Sequence, residues 1–399
     1  MSIKLLKNAL RTGLYVAVVL AIGGGGVAHG ADYKMPRMLV IGTAGTSSGS
    51  FASTNGWAPT FQKDMGSMTR IVPEDSDPQR YLRLTDRRDL TISSVSTADM
   101  RFQIEGIGAY ASSKPVAQRI IWHHNDTPWG FVTRGDSELQ TIEDLKKGGV
   151  RVARGEFSPP MTAAAAKALP AYLGMTDDEA AEKLSFVPAS SYAENCRSVV
   201  EGKSDVAYCA STSAVLAEME GAPGGIRWLS MDADNAEGWE GFLTYRPMVV
   251  PSEITLGVST ARGVAGLTSN FVYAVPADAE EAFAYNMAKW FHESFDKYKG
   301  SHPLAARMDI EVFRNYLDRA PLPIHEGTIR YLKEVGVWTE ADDVWNQQAV
   351  EKMDRWLGAR QAALDEAREN RISASHNNED FMKILSKHTE GLEGFRSRL

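Results

Sequence analysis

The stretch RMLVIGTAGTSSGSF (37–51) decides how this chain should fold. Residues 37–42 form a short apolar run that ends in glycine and predicts a buried β-strand. The segment 42–50 contains only Gly, Ala, Ser and Thr, and a helix-like sequence follows it. Backbone N–H groups at a helix N-terminus suit an anion, and glycines let a ligand approach the backbone closely. We therefore predict that a small anion binds at this loop.

Strand-like runs alternate with helix-like segments along most of the chain, in two successive blocks. This alternation favours parallel strands joined by crossover helices. The sequence therefore predicts an α/β protein with a doubly wound sheet in each block and a helical C-terminal region. No clear pattern is present at 232–270. The runs that predict strands are 37–42, 69–74, 89–95, 119–124 and 128–134 in the first block, and 150–155, 184–189, 204–209 and 225–231 in the second.

The composition excludes several classes of protein. The 399 residues are 43% hydrophobic and 24% charged, which is typical of a globular chain. The formal net charge of −8 argues against a nucleic-acid-binding surface, because phosphate needs a basic face. Only two cysteines, Cys196 and Cys209, are present, so the chain is not a disulfide scaffold. Two buried free thiols are the simpler interpretation of this pair, and a disulfide is the alternative.

The N-terminus has the pattern of a targeting segment. Three basic residues, the last of them Arg11, precede a short apolar run at 14–22, and a glycine-rich tail follows. This order is typical of a secretory signal peptide, which we expect to be cleaved after Gly30 or Ala31. An uncleaved anchor helix is the alternative, although the apolar run is short for a membrane span. The rest of the chain is then exported to the periplasm.

Hydroxyl side chains follow several of the predicted strands. In doubly wound sheets, ligands bind beyond the carboxyl ends of the strands. The residues predicted to hold a carboxylate after the first strand are Thr43, Ser47, Ser48, Gly49 and Ser50. Ser96, Ser158 and Ser211 follow later strands and are predicted to donate across a cleft, with helix capping as the alternative role of each. Arg154 is the nearest cation, and such a cleft of neutral donors indicates binding without catalytic residues.

Other chemistry-bearing patterns are less complete. Residues 45–49 read G-x-S-x-G, the nucleophile-elbow pattern, so an exported serine hydrolase that uses Ser47 is the alternative function. A dinucleotide site would need a glycine where Ala44 stands. His123 and His124 are neighbours on a predicted strand and point to opposite faces, which does not favour a shared metal ion.

Four segments of the sequence carry a family resemblance: VIGTAGTSSGSF (40–51), TIEDLKKGGVRVARG (141–155), EGKSDVAYCAST (201–212) and PLPIHEGTIRYLKEVG (321–336). Together they resemble the TAXI family, the solute receptors of tripartite ATP-independent periplasmic (TRAP) transporters. The likeness covers residues 37–340. Its more specific parts are the glycine-rich strand and loop and a pattern near the C-terminus that is formed by Pro323, His325, Gly327, Arg330 and Tyr331.

The resemblance implies the fold of a type II periplasmic binding protein, in which two α/β lobes joined by a hinge close on a small ligand. The implied division is a signal peptide at 1–31, lobe one at 32–130 and 251–340, lobe two at 131–250, and a C-terminal helical extension at 341–399. The implied solute is a small anionic carboxylate, either an amino acid or a dicarboxylate, which a TRAP membrane permease receives. No nucleic acid, metal or cofactor is expected, and the chain is expected to be a monomer. A receptor that signals to a sensor is a further alternative.

Overall fold

The computed structural model describes residues 33–398. The predicted signal peptide at 1–31 lies outside these residues. None of the helices between residues 33 and 398 combines the length and the apolar character that a membrane crossing requires.

Most strands of the chain belong to one mixed sheet. The strands within residues 33–398 are β1 (Met38–Thr43), β2 (Met68–Pro73), β3 (Ile92–Ser96), β4 (Gln118–Arg134), β5 (Val150–Gly155), β6 (Leu184–Ala189), β7 (Ala207–Ala210), β8 (Ile226–Leu229), β9 (Val249–Glu253) and β10 (Ala265–Pro276). The order in the sheet is β2, β1, β3, β10, β4 and β7, with β8 also paired to β4 and β9 to β10. β1 is parallel to β2 and β3, whereas β10 is antiparallel to β3 and β4. β5 and β6 form a separate parallel pair.

β4 is a single strand of 17 residues, where the sequence predicted two strands separated by 125–127. The intervening polar residues stay extended because they pair with β10: Asp126 lies opposite Asn270, and Thr127 lies opposite Ser269. The side chain of Asn270 also donates a hydrogen bond to the Asp126 carboxylate. Buried polar groups are tolerated where they are hydrogen-bonded, and these partners come from a strand more than 100 residues away in the sequence.

Helices cover the sheet and form most of the C-terminal region. The α-helices within the described part of the chain are α1 (Gly49–Met65), α2 (Asp77–Thr85), α3 (Thr97–Glu105), α4 (Pro159–Ala163), α5 (Leu169–Tyr172), α6 (Asp177–Lys183), α7 (Tyr192–Arg197), α8 (Ala214–Glu220), α9 (Ala236–Tyr245), α10 (Glu281–Glu293), α11 (Phe295–Tyr298), α12 (Ile310–Leu317), α13 (Glu326–Glu334), α14 (Glu340–Glu369) and α15 (Glu379–Thr389). Short 3₁₀ turns lie at Gly108–Tyr110, Ile142–Lys147, Ser259–Ala261 and Ala305–Met308, and a π-helical turn at Ala164–Ala168 joins α4 to α5. Many helices begin where a hydroxyl or amide side chain caps the first turn, as Ser48 does for α1 and Thr339 for α14.

Two separate hydrophobic cores define two lobes. The core of lobe one contains Trp122 and Tyr273, and the core of lobe two contains Phe131 and Leu267. β4 carries Trp122 and Phe131, and β10 carries Tyr273 and Leu267, so both strands run from one lobe into the other. The predicted α/β architecture of two connected lobes with a helical C-terminal region is thereby confirmed.

The boundaries of the lobes differ from those that the sequence implied. The core of lobe two extends to Leu267, so the segment 251–267 packs with lobe two and not with the second part of lobe one. In the predicted C-terminal extension, Trp345 and Met353 on α14 belong to the core of lobe one. The end of α14 and α15 pack in a separate small cluster that contains Phe381 and Leu385. Packing against a particular core, and not order along the chain, decides which lobe a segment joins.

A disulfide joins Cys196 on α7 to Cys209 on β7. Their Cα atoms are 6.0 Å apart, within the range that a disulfide spans, and both side chains are fully buried. The interpretation of the pair as two free thiols is therefore wrong. Helix α7 is held against β7 by the side chain of Asn195, which donates to Tyr208 O at 3.1 Å, and this contact is not visible in the sequence spacing.

We expect the double variant Cys196→Ala/Cys209→Ala to be less stable than the wild-type protein by about 3 kcal/mol, because the cross-link restricts the unfolded chain. Urea unfolding followed by circular dichroism measures the difference. Wild-type protein in excess dithiothreitol is the matched control and should unfold at the same urea concentration as the double variant. If neither treatment moves the unfolding midpoint, the disulfide does not stabilise the fold and the prediction is wrong.

Candidate functional site

A cavity of about 70 Å³ lies between the two lobes. Lobe one supplies small residues and three charged ones to its wall, and lobe two supplies aromatic residues and Arg246. The lining residues are Ala44, Ser48, Gly49, Ser50, Asp75, Asp77, Arg80 and Ser96 from lobe one, Thr127, Trp129, Ser269 and Phe271 from β4 and β10, and Phe157, Ser158, Pro160, Met161, Tyr192, Tyr208, Ala210, Ser213 and Arg246 from lobe two. A concave site between lobes with a few convergent polar groups is the usual form of a small-molecule site.

The two lobes touch each other around this cavity. The backbone N–H of Asp77 donates to Phe157 O across the gap at 3.0 Å. The N–H of Ala214 likewise donates to Ser47 O at 3.1 Å. The structure therefore shows the lobes in a closed arrangement, with the cavity between them.

Five of the eight predicted binding residues line this cavity: Ser48, Gly49, Ser50, Ser96 and Ser158. Ser48, Ser96 and Ser158 also cap α1, α3 and α4, because each hydroxyl oxygen accepts the N–H of the residue three positions later. Capping and cavity lining therefore coincide at these three serines. Their O–H groups remain able to donate to a ligand, because capping uses only the oxygen as an acceptor.

Gly49 permits a close approach between the lobes. A Cβ atom at this position would lie 2.7 Å from Leu304 Cδ1 and 3.0 Å from Thr212 Oγ1, and Thr212 belongs to lobe two. The first distance is too short for any side chain without a shift of the neighbours. The glycine in the loop thus serves the packing of the lobes as well as the lining of the cavity.

Three of the predicted residues, and the predicted cation, lie away from the cavity. Thr43 Oγ1 donates to the carbonyl of the next residue at 2.9 Å, and Ser211 Oγ donates to a carbonyl oxygen at 2.6 Å. Ser47 contributes its backbone carbonyl to the contact between the lobes. Arg154 is paired with Glu156 at 2.5 Å and is not among the lining residues.

Two other arginines line the cavity, and they differ in their partners. Arg80 is buried and pairs with the Asp77 carboxylate. Burial by itself lowers the pKa of Arg80, but the adjacent Asp77 and Asp99 carboxylates outweigh this effect and raise it. Arg246 is 3% exposed and donates from Nη1 to Pro160 O at 2.6 Å. Within residues 33–398, no carboxylate lies at ion-pair distance from Arg246, so its charge is buried without a counterion.

Several polar atoms of the cavity wall have no hydrogen-bond partner among the described residues. They are Trp129 Nε1, Tyr208 Oη, Arg246 Nε and Ser269 Oγ. Leaving such a buried group unsatisfied costs about 1–3 kcal/mol. The two nitrogens, Trp129 Nε1 and Arg246 Nε, can only donate a hydrogen bond, and the two hydroxyl groups can donate as well as accept. A ligand that offers several acceptor oxygens would satisfy them together.

Burial changes the pKa of two lining residues, Tyr208 and Asp75. Burial raises the pKa of Tyr208 to about 12, although the nearby Arg246 lowers it, so the phenol keeps its proton at neutral pH. Burial also raises the pKa of Asp75, and the N–H of Gly45, which donates to its carboxylate at 3.0 Å, opposes this change. Tyr208 can therefore donate to a ligand. Within residues 33–398 no cation lies at ion-pair distance from Asp75, although the nearby charge of Arg80 lowers its pKa.

The sequence of residues 41–336, which is most of the chain, matches the profile of the NMT1-like family. The chain belongs to the NMT1-like family. A comparison with curated proteins gave no match for this NMT1-like protein.

Solved structures that resemble this NMT1-like protein include several binding proteins. The periplasmic binding protein BugD is 9% identical, covers 82% of this chain and 98% of its own, and superposes with a TM-score of 0.45. The periplasmic aliphatic sulphonate binding protein SsuA from Escherichia coli is 15% identical and covers 79% of this chain and 89% of its own, with a TM-score of 0.40. A lysine complex of a putative ABC transporter binding component from Wolinella succinogenes is 11% identical and covers 69% of this chain and 96% of its own, with a TM-score of 0.42.

Ser47 of the NMT1-like protein lacks the surroundings of a nucleophile. Among residues 33–398, no histidine forms a hydrogen bond with its hydroxyl. His124 is fully buried between Ser94 Oγ (2.8 Å) and Tyr273 Oη (3.1 Å), and His123 contacts Asp126 at 3.1 Å. The geometry therefore gives no support to the serine-hydrolase alternative. The described residues also contain no group of three His, Cys, Asp or Glu placed to hold a metal ion.

Sequence reasoning missed the residues that give the cavity its charge and its aromatic wall. Arg246 follows α9 in the region 232–270, where the sequence showed no clear pattern. Tyr208 lies within β7, whereas the sequence predicted binding residues at the ends of strands. The aromatic-rich segment GWEGFLTYR (238–246), which ends in an arginine, was the one available signal for Arg246.

Proposed function

We propose that this NMT1-like protein is an exported receptor that encloses a small carboxylate between its lobes and delivers it to a membrane permease. The observation that carries the proposal is Arg246, a buried cation that has no carboxylate partner among residues 33–398 and lies beside unpartnered hydrogen-bond donors in the interlobe cavity. A carboxylate supplies the missing negative charge and up to four acceptor positions. Charge-assisted hydrogen bonds of this kind are about twice as strong as neutral ones.

The binding mechanism follows from the division into two lobes. A ligand stabilises the closed arrangement only by binding it more tightly than the open one. Arg246, Tyr208 and Ser158 lie on lobe two, whereas Ser48 and Ser96 lie on lobe one, so a bound anion contacts both lobes only when they close. β4 and β10 connect the lobes, and we place the hinge in these two strands. The closed form is then the form that a permease recognises.

Isothermal titration calorimetry on extensively dialysed full-length protein tests the proposal. The panel contains small monocarboxylates, dicarboxylates and amino acids, and neutral sugars and alkylamines are the control solutes. We expect one or more carboxylates to bind with a stoichiometry of one and to raise the melting temperature, since ligand binding to the native state stabilises it by mass action. Binding of a sugar or an amine, without binding of any carboxylate, would contradict the proposal.

The permease partner is proposed from the sequence resemblance to TRAP receptors. Segments 40–51, 141–155, 201–212 and 321–336 support it, and a TRAP permease uses no ATP. Uptake of the bound solute into proteoliposomes that contain the permease encoded with this chain distinguishes the two transporter types. Uptake that an ion gradient drives in the absence of ATP supports a TRAP permease. Uptake that requires ATP contradicts it and assigns the receptor to an ABC transporter.

A further inference from the structure

The charged groups of the interlobe cavity leave one cation and one carboxylate without an opposite partner. Arg80 is paired with Asp77, whereas Arg246 has no carboxylate partner within residues 33–398. Asp75 lines the same cavity, and its carboxylate accepts the backbone N–H of Gly45 at 3.0 Å but pairs with no cation of the described chain. A second negative charge on a ligand therefore finds no free cation and meets the Asp75 carboxylate.

Aromatic rings form the wall of the cavity on the side of Arg246. The rings of Trp129 and Tyr208 are stacked, with centroids 4.8 Å apart and planes inclined by 16°. The guanidinium of Arg246 lies 5.5 Å from the centroid of the Tyr208 ring. Phe157 and Phe271 also line the cavity and are only partly buried, so they keep apolar surface available to a ligand. Aromatic side chains pair favourably with another ring, either offset-stacked or edge-to-face.

Three of the residues that lobe one contributes to the cavity have little side-chain volume. Ala44, Ser48 and Gly49 line the cavity from lobe one, and none of them carries more than two heavy atoms beyond Cα. Phe157 and Phe271, which are only partly buried, line the same cavity. The cavity is therefore suited to an aromatic body that packs against these two rings.

We propose, as an extension of the proposed function, that the solute is a monocarboxylate with an aromatic body, and that Asp75 excludes a second carboxylate. The carboxylate binds Arg246, and the aromatic body packs against Phe157 and Phe271. Like charges placed together in a buried site cost several kcal/mol, so one unpaired carboxylate in the wall is sufficient for this selection. The dicarboxylate solutes that the sequence resemblance implied are then weaker ligands.

Calorimetric titration of the dialysed full chain with matched ligands tests the preference for an aromatic ring in the solute. The probes are benzoate and 3-phenylpropionate, compared with cyclohexanecarboxylate, succinate and glutamate. We expect an aromatic monocarboxylate to bind at least about tenfold more tightly than each of the other three, a difference that corresponds to about 1.4 kcal/mol. If succinate or glutamate binds at least as tightly as the aromatic acids, this inference is wrong and the proposed function stands. If no carboxylate binds at all, the proposed function fails as well.

A second pair of ligands tests whether the cavity excludes a second negative charge. 4-Nitrobenzoate and terephthalate have nearly the same shape, but only terephthalate carries a second negative charge. Wild-type protein should prefer 4-nitrobenzoate by at least about tenfold, and equal affinities would overturn the role of Asp75.

The variant Asp75→Asn tests whether the charge of Asp75 causes this exclusion. It removes the charge but keeps an oxygen that can accept the Gly45 N–H. We expect it to reduce the preference for 4-nitrobenzoate over terephthalate by about tenfold, because it removes the repelling charge. Asp136→Asn changes an exposed carboxylate that pairs with Arg134 at 2.6 Å and is the matched control, with the preference unchanged. A preference that persists in Asp75→Asn, with an unfolding midpoint equal to that of the wild type, contradicts the proposal.

Discussion

Replacement of Arg246 by glutamine should weaken binding of the solute carboxylate by about a hundredfold, which corresponds to about 2.8 kcal/mol. Loss of one partner of a buried, hydrogen-bonded charge pair costs about 2–5 kcal/mol or more, because the other charge is left without compensation. Arg246 is 3% exposed, so water does not replace the lost partner at low cost. Isothermal titration calorimetry with the solute found for the wild-type protein measures the change in affinity.

Two further variants separate the charge of Arg246 from its place in the fold. Arg246→Lys keeps the positive charge but loses the planar pair of donors, so we expect an affinity between those of the wild type and Arg246→Gln. Arg154→Gln removes the cation that the sequence placed nearest the cleft, which in the structure pairs with Glu156, and should leave the affinity unchanged. The unfolding midpoint of each variant shows whether the fold is retained, since Arg246 also donates to Pro160 O. Wild-type affinity in a folded Arg246→Gln protein would contradict the assignment.

Replacement of Arg360 by methionine should destabilise the protein by about 3–5 kcal/mol, because buried polar partners then lose their donors. Arg360 lies on α14, is fully buried, and donates to the carbonyl oxygens of Gln103 (2.5 Å), Tyr110 (2.6 Å) and Ser113 (2.8 Å). Burial lowers the pKa of its guanidinium, and these carbonyl oxygens take the place of water around it. Urea unfolding measured by circular dichroism provides the free energy of unfolding.

The position of this arginine links the C-terminal region to the solute cavity. Gln103 belongs to the last turn of α3, and Ser96, which caps the first turn of that helix, lines the cavity. Gly106, with φ of 70°, ends α3, and a Cβ atom there would lie 2.5 Å from Arg360 Nε. Arg360 of α14 therefore contacts the C-terminal end of α3, and the residue that caps the N-terminal end of α3 lines the cavity.

Arg368→Met is the matched control for this variant. Arg368 lies on the same helix, and its side chain is 75% exposed and paired with Asp365 at 3.0 Å. Exposed ion pairs contribute about 0–1 kcal/mol, so the unfolding midpoint should remain close to that of the wild type. A loss of stability in Arg360→Met no larger than in Arg368→Met would show that the buried contacts of α14 do not hold the fold together.

Much of the architecture was predictable because it depends on local patterns. The run 37–42 lies in β1, and the loop after it does lead into α1. The continuation of β4 through the polar residues 125–127 was not predictable in this way, because residues of β10 pair with them and satisfy their buried side chains. The disulfide was missed for a similar reason, since packing of α7 on β7 places its cysteines together.

The candidate site was predictable only in part. Ser48, Ser96 and Ser158 could be found because a helix cap after a strand end has a recognisable sequence pattern. Arg246 and Tyr208 could not be found in this way, because neither stands directly after the end of a predicted strand and packing brings them to the cavity. Arg154 shows the converse, since proximity in sequence to a strand end did not bring it to the cavity.

The sequence by itself determined the alternation of strands and helices, the division into two blocks and the small polar loop at 42–50, because these features follow from residue periodicity and backbone freedom. Tertiary structure alone decided which charges lack partners. Whether a cation is neutralised depends on distances between residues far apart in the chain, as the pairing of Arg80 with Asp77 and the isolation of Arg246 show. The charge that the solute must carry is therefore a property of the folded cavity.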